Sequence, residues 1–191
     1  MTSVKRLLLI TGNPGKAREF ASLMPGLTVE HKALELLELQ SLSAQEVGRH
    51  KALEALSQLP DREKVRYDAV LTDDSSLSFT ALNGFPGALV KFCLDALGPE
   101  GLAGLLDQKD RSAVAECCLS LSLTQTGEVI QFIGKVPGTI QAPQGREGFG
   151  WDGIFYPQGS DLSYAQLSQE QKNSISHRSV AVKQLLRWLG Q

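Results

Sequence analysis

From Ala113 to Leu123 every second residue is apolar. Ala113, Ala115, Cys117, Leu119, Leu121 and Leu123 fall on one side, and Val114, Glu116, Cys118, Ser120 and Ser122 on the other. A period of two over that length is a β-strand with one apolar face, and its backbone groups need partner strands. Thr126-Gly127 turns it into a second run, Glu128 to Val136, which reads as a hairpin. Two further runs, Leu7-Leu8-Leu9-Ile10-Thr11 and Ala69-Val70-Leu71-Thr72, are short and apolar, the pattern of buried strands.

Helical patterns separate these strands. Lys16 to Met24 puts Phe20, Leu23 and Met24 on one face and stops at Pro25-Gly26. Ser43-Ala44-Gln45-Glu46 has the spacing of a capping box and opens a helix through Leu59, ended by Pro60. Asp61 to Arg66 reads as a charged loop. Ala88 to Leu97 looks helical, and Gly98-Pro99 divides it from a shorter helix through Leu106. Gly145 to Gly150 is a glycine-rich loop before a short Ile154-Phe155-Tyr156 strand, and a last helix ends at Gly190. Buried and half-exposed strands mixed with helices predict an α/β (mixed α+β) fold, a mixed sheet flanked by helices. The 191 residues read as one domain, 1–191.

Composition narrows the function. Lys and Arg number 19 against 21 Asp and Glu, so the formal charge is −2. A general nucleic-acid binder needs a basic surplus, which is absent, so any polyanion must meet a local cluster of cations. The cysteines, Cys93, Cys117 and Cys118, are odd in number and lack C-x-x-C spacing, which points to reduced thiols and a cytoplasmic protein. No apolar run is long enough to span a membrane, and the run Leu7 to Ile10 is too short for a signal peptide.

Four segments carry polar chemistry. Thr11-Gly12-Asn13-Pro14-Gly15-Lys16 is a strand–turn–helix junction that aims amides and a lysine at one spot, suited to phosphate. It lacks the spacing of a Walker loop, and an ordinary turn would look similar. Asp73-Asp74-Ser75-Ser76 stands at the end of an apolar strand, where a carboxylate can hold Mg²⁺ or accept a proton from water. Neighbouring strand residues face opposite ways, so one of the two carboxylates is expected in a site; a solvated turn is the plainer alternative. Phe149-Gly150-Trp151-Asp152 offers aromatic faces to a base or to the core. Lys172-Asn173-Ser174-Ile175-Ser176-His177-Arg178 sets cations near the start of the last helix, where the dipole disfavours them unless an anion compensates. Ser168 and Gln171 have capping-box spacing beside it.

These segments, in this order over residues 11–178, together with Gly84-Phe85-Pro86-Gly87 and Lys91, resemble the inosine triphosphate pyrophosphatase family. The resemblance implies an elongated two-lobed fold with the active-site cleft between the lobes, and usually a homodimer. It implies Mg²⁺-dependent hydrolysis of ITP, dITP and XTP to the monophosphate and pyrophosphate, with no nucleic-acid or membrane partner. Carried over residue by residue, Thr11, Gly12, Asn13 and Lys16 would cradle the triphosphate, and Lys51, Lys91 and Lys172 would neutralise it. Asp74 would bind metal and accept the proton, with Ser75 touching substrate and Lys16 assisting. Phe149 would stack on the base, Gly150, Trp151 and Asp152 would shape the nucleoside pocket, and His177 and Arg178 would meet the keto edge. Glu38 is the preferred second metal carboxylate, with Glu35 and Glu46 as alternatives. Two other readings stay open: a pyrophosphatase for other modified nucleotides, and a non-catalytic nucleotide-binding module.

Overall fold

A computed structural model describes residues 4–145 and 149–190; part of the expected Gly145–Gly150 loop, residues 146–148, lies outside the described residues. Strand β1 (Arg6–Ile10) leads into helix α1 (Pro14–Leu23), then β2 (Thr28–Lys32), α2 (Ala44–Gln58) and the single turn α3 (Asp61–Lys64). Strand β3 (Ala69–Phe79) follows, with β4 (Pro86–Gly87), α4 (Val90–Gly104), β5 (Ser112–Leu123), β6 (Val129–Ile140) and β7 (Phe155–Pro157). Helices α5 (Gln169–Ile175) and α6 (His177–Trp188) end the chain. The strands form one mixed sheet in the order β2-β1-β3-β5-β6-β7, with β4 on β3. Pairs β1–β2 and β1–β3 are parallel and the rest antiparallel.

The expected α/β fold with its mixed sheet is what forms, and three local differences matter. First, β3 does not stop at Thr72. It continues through Asp73-Asp74-Ser75-Ser76 to Phe79, because β5 pairs along its whole length, Asp73 opposite Leu119 and Asp74 opposite Cys118. Second, β5 has an apolar and a polar side, yet from Cys117 onward both sides are buried. Helix α2 covers the polar side, where Ser122 Oγ donates to the Ala52 carbonyl and Ser120 Oγ accepts from Gln131 Nε2. Third, the charged segment after Pro60 contains the turn α3 instead of a plain loop. Strand β2 has no apolar period and forms through its parallel pairing with β1.

The helix break at Gly98 is present as expected, with Gly98 at φ 67°, and the Ser168–Gln171 capping box is complete. The Ser43–Glu46 box is only half formed. Ser43 Oγ accepts from Glu46 N–H, but the Glu46 carboxylate accepts from Ser41 Oγ instead.

Three cores form among the described residues: one packs Leu8, Ile10 and Val70 against Ala55 of α2, and two lie at opposite ends of β3 and β5. Of these two, one gathers Leu7, Leu9, Phe20, Leu71, Leu119 and Leu185 beneath α1 and α6. The other gathers Leu77, Phe79, Ala113, Ala115, Phe155 and Tyr164. Residues 73–76 of β3 fall between them, so the polar stretch sits where one lobe passes into the other. Gly134 on β6 lets α6 dock. A Cβ there would lie 2.0 Å from the His177 carbonyl oxygen, so only glycine admits the first turn of α6. The three cysteines are free, and no helix among the described residues is long and apolar enough to cross a membrane.

Candidate active site

Every candidate residue named from the sequence, except Lys172 and the alternative carboxylate Glu46, lines one cleft of about 1040 Å³. That is at the upper end of the usual range for small-molecule sites. The β1–α1 junction forms one wall. Asn13 caps α1 by accepting from the amides of Gly15 at 2.8 Å and Lys16 at 3.3 Å, so its side chain already occupies two of the amides expected to face a phosphate. Lys16 reaches across to β3, where its ammonium donates to the Asp73 carbonyl at 2.7 Å and stands 3.3 Å from Asp73 Oδ2.

Both acidic residues of β3 line the cleft, which corrects the expectation that one would turn away. The alternation of side chains still holds, because the cleft straddles the strand. On one side Asp73 accepts from Arg178 Nε at 2.9 Å, from Cys117 Sγ at 3.3 Å and from Ser75 Oγ at 3.4 Å. Burial works to raise its pKa, but the charges of Arg178 and Lys16 outweigh burial and hold it well below the usual carboxylate range. On the other side Asp74 Oδ1 accepts from Lys51 Nζ at 2.8 Å, while its Oδ2 is buried without a partner among the described residues. Here burial wins over the attraction of Lys51 and Lys16, and the pKa is raised.

Lys51 projects from α2 and donates at 2.8 Å to Glu38 as well as to Asp74. Burial works against its charge, but the two carboxylates more than restore it and hold the ammonium above the usual lysine range. Helix α2 comes this close because of Gly48. A Cβ there would stand 2.7 Å from Ser120 Oγ and 3.3 Å from Asp74 Oδ2. Of the three carboxylates left open by the sequence, Glu38 reaches Lys51 and Glu35 lines the cleft, whereas Glu46 does not line it.

The far wall of the cleft carries Phe149, Gly150, Trp151 and Asp152 with His177 and Arg178. Phe149 N–H donates to Asp152 Oδ2 at 2.8 Å, and its ring lies 4.8 Å from Lys172 Nζ and 5.7 Å from the Arg178 guanidinium. Lys172 is buried behind this wall, held by Glu19 at 2.9 Å and Asp152 at 2.7 Å, so its charge is already matched. Arg178 is fully buried and spends one donor each on Glu19, Asp73 and Ser75. His177 packs against both Trp151 and Tyr164, with ring centroids 5.2 and 5.7 Å away and neither ring nitrogen partnered among the described residues. Burial and the adjacent Arg178 push its pKa well below the ordinary value, so it is neutral.

No sequence motif singles out Glu19. It is buried on α1, and its pKa is lowered because Arg178 and Lys172 outweigh the opposing effect of burial. The signal was a carboxylate beside Phe20, on the apolar helical face, in a chain whose later cations needed anions.

Fold and cleft together define a mixed α/β protein whose sheet gathers cations and two separately tuned carboxylates around a ligand-sized groove. The chain belongs to the Ham1 family, whose profile matches residues 7–188. It is 38% identical to "Inosine triphosphate pyrophosphatase 1" of Trypanosoma cruzi over 184 residues, 95% of this chain and 90% of that protein. It is 37% identical to "Inosine triphosphate pyrophosphatase" of Aspergillus fumigatus, over 99% of this chain and 97% of that one. Among solved structures it resembles the Ham1 protein of Staphylococcus aureus with a TM-score of 0.79 and 31% identity, over 97% of this chain and 98% of that one.

Proposed function

We propose that this protein hydrolyses the deaminated purine nucleoside triphosphates ITP, dITP and XTP to the monophosphate and pyrophosphate, clearing them from the nucleotide pool. The observation that carries this reading is the opposed tuning of the two carboxylates on β3. Asp74, with its raised pKa and unpartnered Oδ2, is suited to take a proton from water, while Asp73 is locked to Arg178.

The donor set fits Mg²⁺. Among the described residues no three His, Cys, Asp or Glu side chains cluster as a metal cage. Mg²⁺ does not need one, since it keeps waters and uses one or two carboxylates beside substrate phosphates. Asp74 and Glu38 would hold it, and when bound it would neutralise developing phosphate charge. Lys16, Lys51 and Lys91 would surround the triphosphate, and positioning with charge stabilisation is most of what phosphoryl transfer requires.

Base choice falls to Arg178. Its guanidinium carries five N–H donors, of which Glu19, Asp73 and Ser75 take one each, leaving two without a partner among the described residues. A keto oxygen can accept from them. The amino group of adenine cannot, and leaves donors facing each other at a cost of about 1–3 kcal/mol. The reading includes a cytoplasmic location, from the reduced thiols, and a homodimer, as the family resemblance implies; light scattering on the purified protein tests the assembly. Pyrophosphate release from ITP, XTP, GTP and ATP with Mg²⁺ tests the reaction. Turnover of ITP and XTP well above ATP is the expected result; equal turnover of ATP, or nucleotide binding without turnover, would overturn it.

A further inference from the structure

The ammonium of Lys51 stands between Asp74 Oδ1 and Glu38 Oε1, 2.8 Å from each. Those are the two carboxylates with the donor chemistry for the metal. Among the described residues no other cation contacts them at so short a distance: Lys16 is committed to Asp73. The segment that carries Glu38 is also fastened independently of Lys51. Leu37 N–H donates to Glu54 Oε2 at 2.9 Å, and Gln58 Nε2 donates to the Glu35 carbonyl at 3.1 Å, both acceptor and donor side chains lying on α2. Gly48, one turn before Lys51 on α2, keeps that helix against Asp74. The two carboxylates therefore stay gathered whether or not the ammonium is between them.

We infer that Lys51 is an internal counter-ion that occupies the metal position of the nucleotide-free protein, and that metal entry expels its ammonium into the cleft, toward the triphosphate. This inference rests on the reading of Asp74 and Glu38 as the metal carboxylates. Its physical basis is charge. Two carboxylates and one ammonium leave one formal negative charge; a divalent cation in the ammonium's place changes the pair to neutral and frees a cation for phosphate. Both cations compete for the same oxygens, and the four-carbon stem of lysine lets its charge move without moving α2. Metal and triphosphate would then reinforce each other: the metal frees Lys51, and the phosphate gives Lys51 a new partner. The metal alone would bind weakly, because it must first displace a charge already well placed.

The test uses Mn²⁺ alone, followed by the electron paramagnetic resonance of the free ion, with the full-length protein and no nucleotide. The expected result is that Lys51→Gln binds Mn²⁺ about tenfold more tightly than wild type, the size expected for removing a competing charge in direct contact, while Asp74→Asn loses the site. Equal or weaker binding by Lys51→Gln, with the site still lost in Asp74→Asn, would overturn the exchange while leaving the metal carboxylates in place. Unchanged binding in Asp74→Asn would overturn the exchange by removing the metal reading beneath it. A second measurement on wild type needs no variant to fold. Reductive methylation of Lys51, read by peptide mass spectrometry, should speed up severalfold when Mn²⁺ is added. No change at saturating Mn²⁺ would overturn the inference.

Discussion

Asp73 and Asp74 are consecutive on β3, both buried, and each has a cation at hydrogen-bond distance, yet their environments pull them in opposite directions. Asp73 faces α1 and α6, where Arg178, Lys16, Cys117 and Ser75 all contact it and its charged form is strongly favoured. Asp74 faces α2, where, among the described residues, Lys51 is its one cation contact and one oxygen has no partner, and burial prevails. The difference separates two tasks. The side of Asp73 continues through Arg178, Glu19, Lys172 and Asp152 as a connected, buried ionic brace that ties α1, β3, α5 and α6 together. The side of Asp74 is left partly unsatisfied, and an unsatisfied carboxylate is the one able to take up a proton or a metal.

The comparison breaks most sharply at Asp74. Asp74→Asn keeps the shape and should lower pyrophosphate release from ITP by about 10²–10⁴-fold, the usual contribution of a general base. Its melting transition should move little, because the lost charge was already disfavoured by burial. A variant with activity within tenfold of wild type would show that the unsatisfied side is not the reactive one.

Arg178→Met tests the other side. It leaves Asp73 and Glu19 buried without their shared partner, and removing one member of a buried ionic group costs about 3–5 kcal/mol. Urea unfolding measures this directly. A loss below about 1 kcal/mol would mean that Lys16 and Lys172 suffice for the two carboxylates, and that the brace reduces to local pairs.

Much of this contrast could be read from residues, and some could not. The strands β1, β5 and β6 follow from their apolar runs and period, and the α1 junction from Gly12 to Gly15, because local pattern decides such elements. The continuation of β3 through two aspartates could not be read that way. An acidic pair has poor strand propensity, and only the eleven-residue pairing with β5 overrides it. Strand β2 escaped for the same reason, being made by its neighbour and not by its own sequence. The candidate site residues came from motif order, while their division of labour came from three-dimensional partners. Glu19 lies 153 residues from Lys172 and 159 from Arg178, a separation at which no local pattern pairs charges.

A smaller effect sharpens the picture at His177, which lies beside the brace and stays neutral because burial and Arg178 lower its pKa. Above about pH 6.5 folded and unfolded chains both carry the neutral ring. As pH falls below that value the unfolded chain takes up a proton and the folded one does not, so stability is lost. The slope attributable to this residue approaches about 1.4 kcal/mol per pH unit. His177→Phe keeps an aromatic ring against Trp151 and Tyr164 and should remove that slope between pH 6.5 and 5. Urea unfolding of both proteins across that window reads the difference, and parallel slopes would show that His177 is protonated in the folded protein.

The smallest effect isolates burial from distance. Lys172 and Asp152 stand 2.7 Å apart inside the brace, and Lys135 and Glu116 stand 2.7 Å apart as directly opposed residues on β5 and β6. The first lysine side chain is 4% exposed and the second 58%. Water competes for the Lys135 ammonium in both folded and unfolded chains, and salt screens what remains. Lys135→Met should therefore cost less than about 1 kcal/mol, and the cost should shrink further in 1 M salt. Lys172→Met should cost about 3–5 kcal/mol with little dependence on salt, since removing the buried ammonium strands two carboxylates away from water. Equal costs for the two variants would mean that contact geometry alone sets the strength of these pairs, and the distinction between a sealed brace and a reactive half-open side would lose its physical basis.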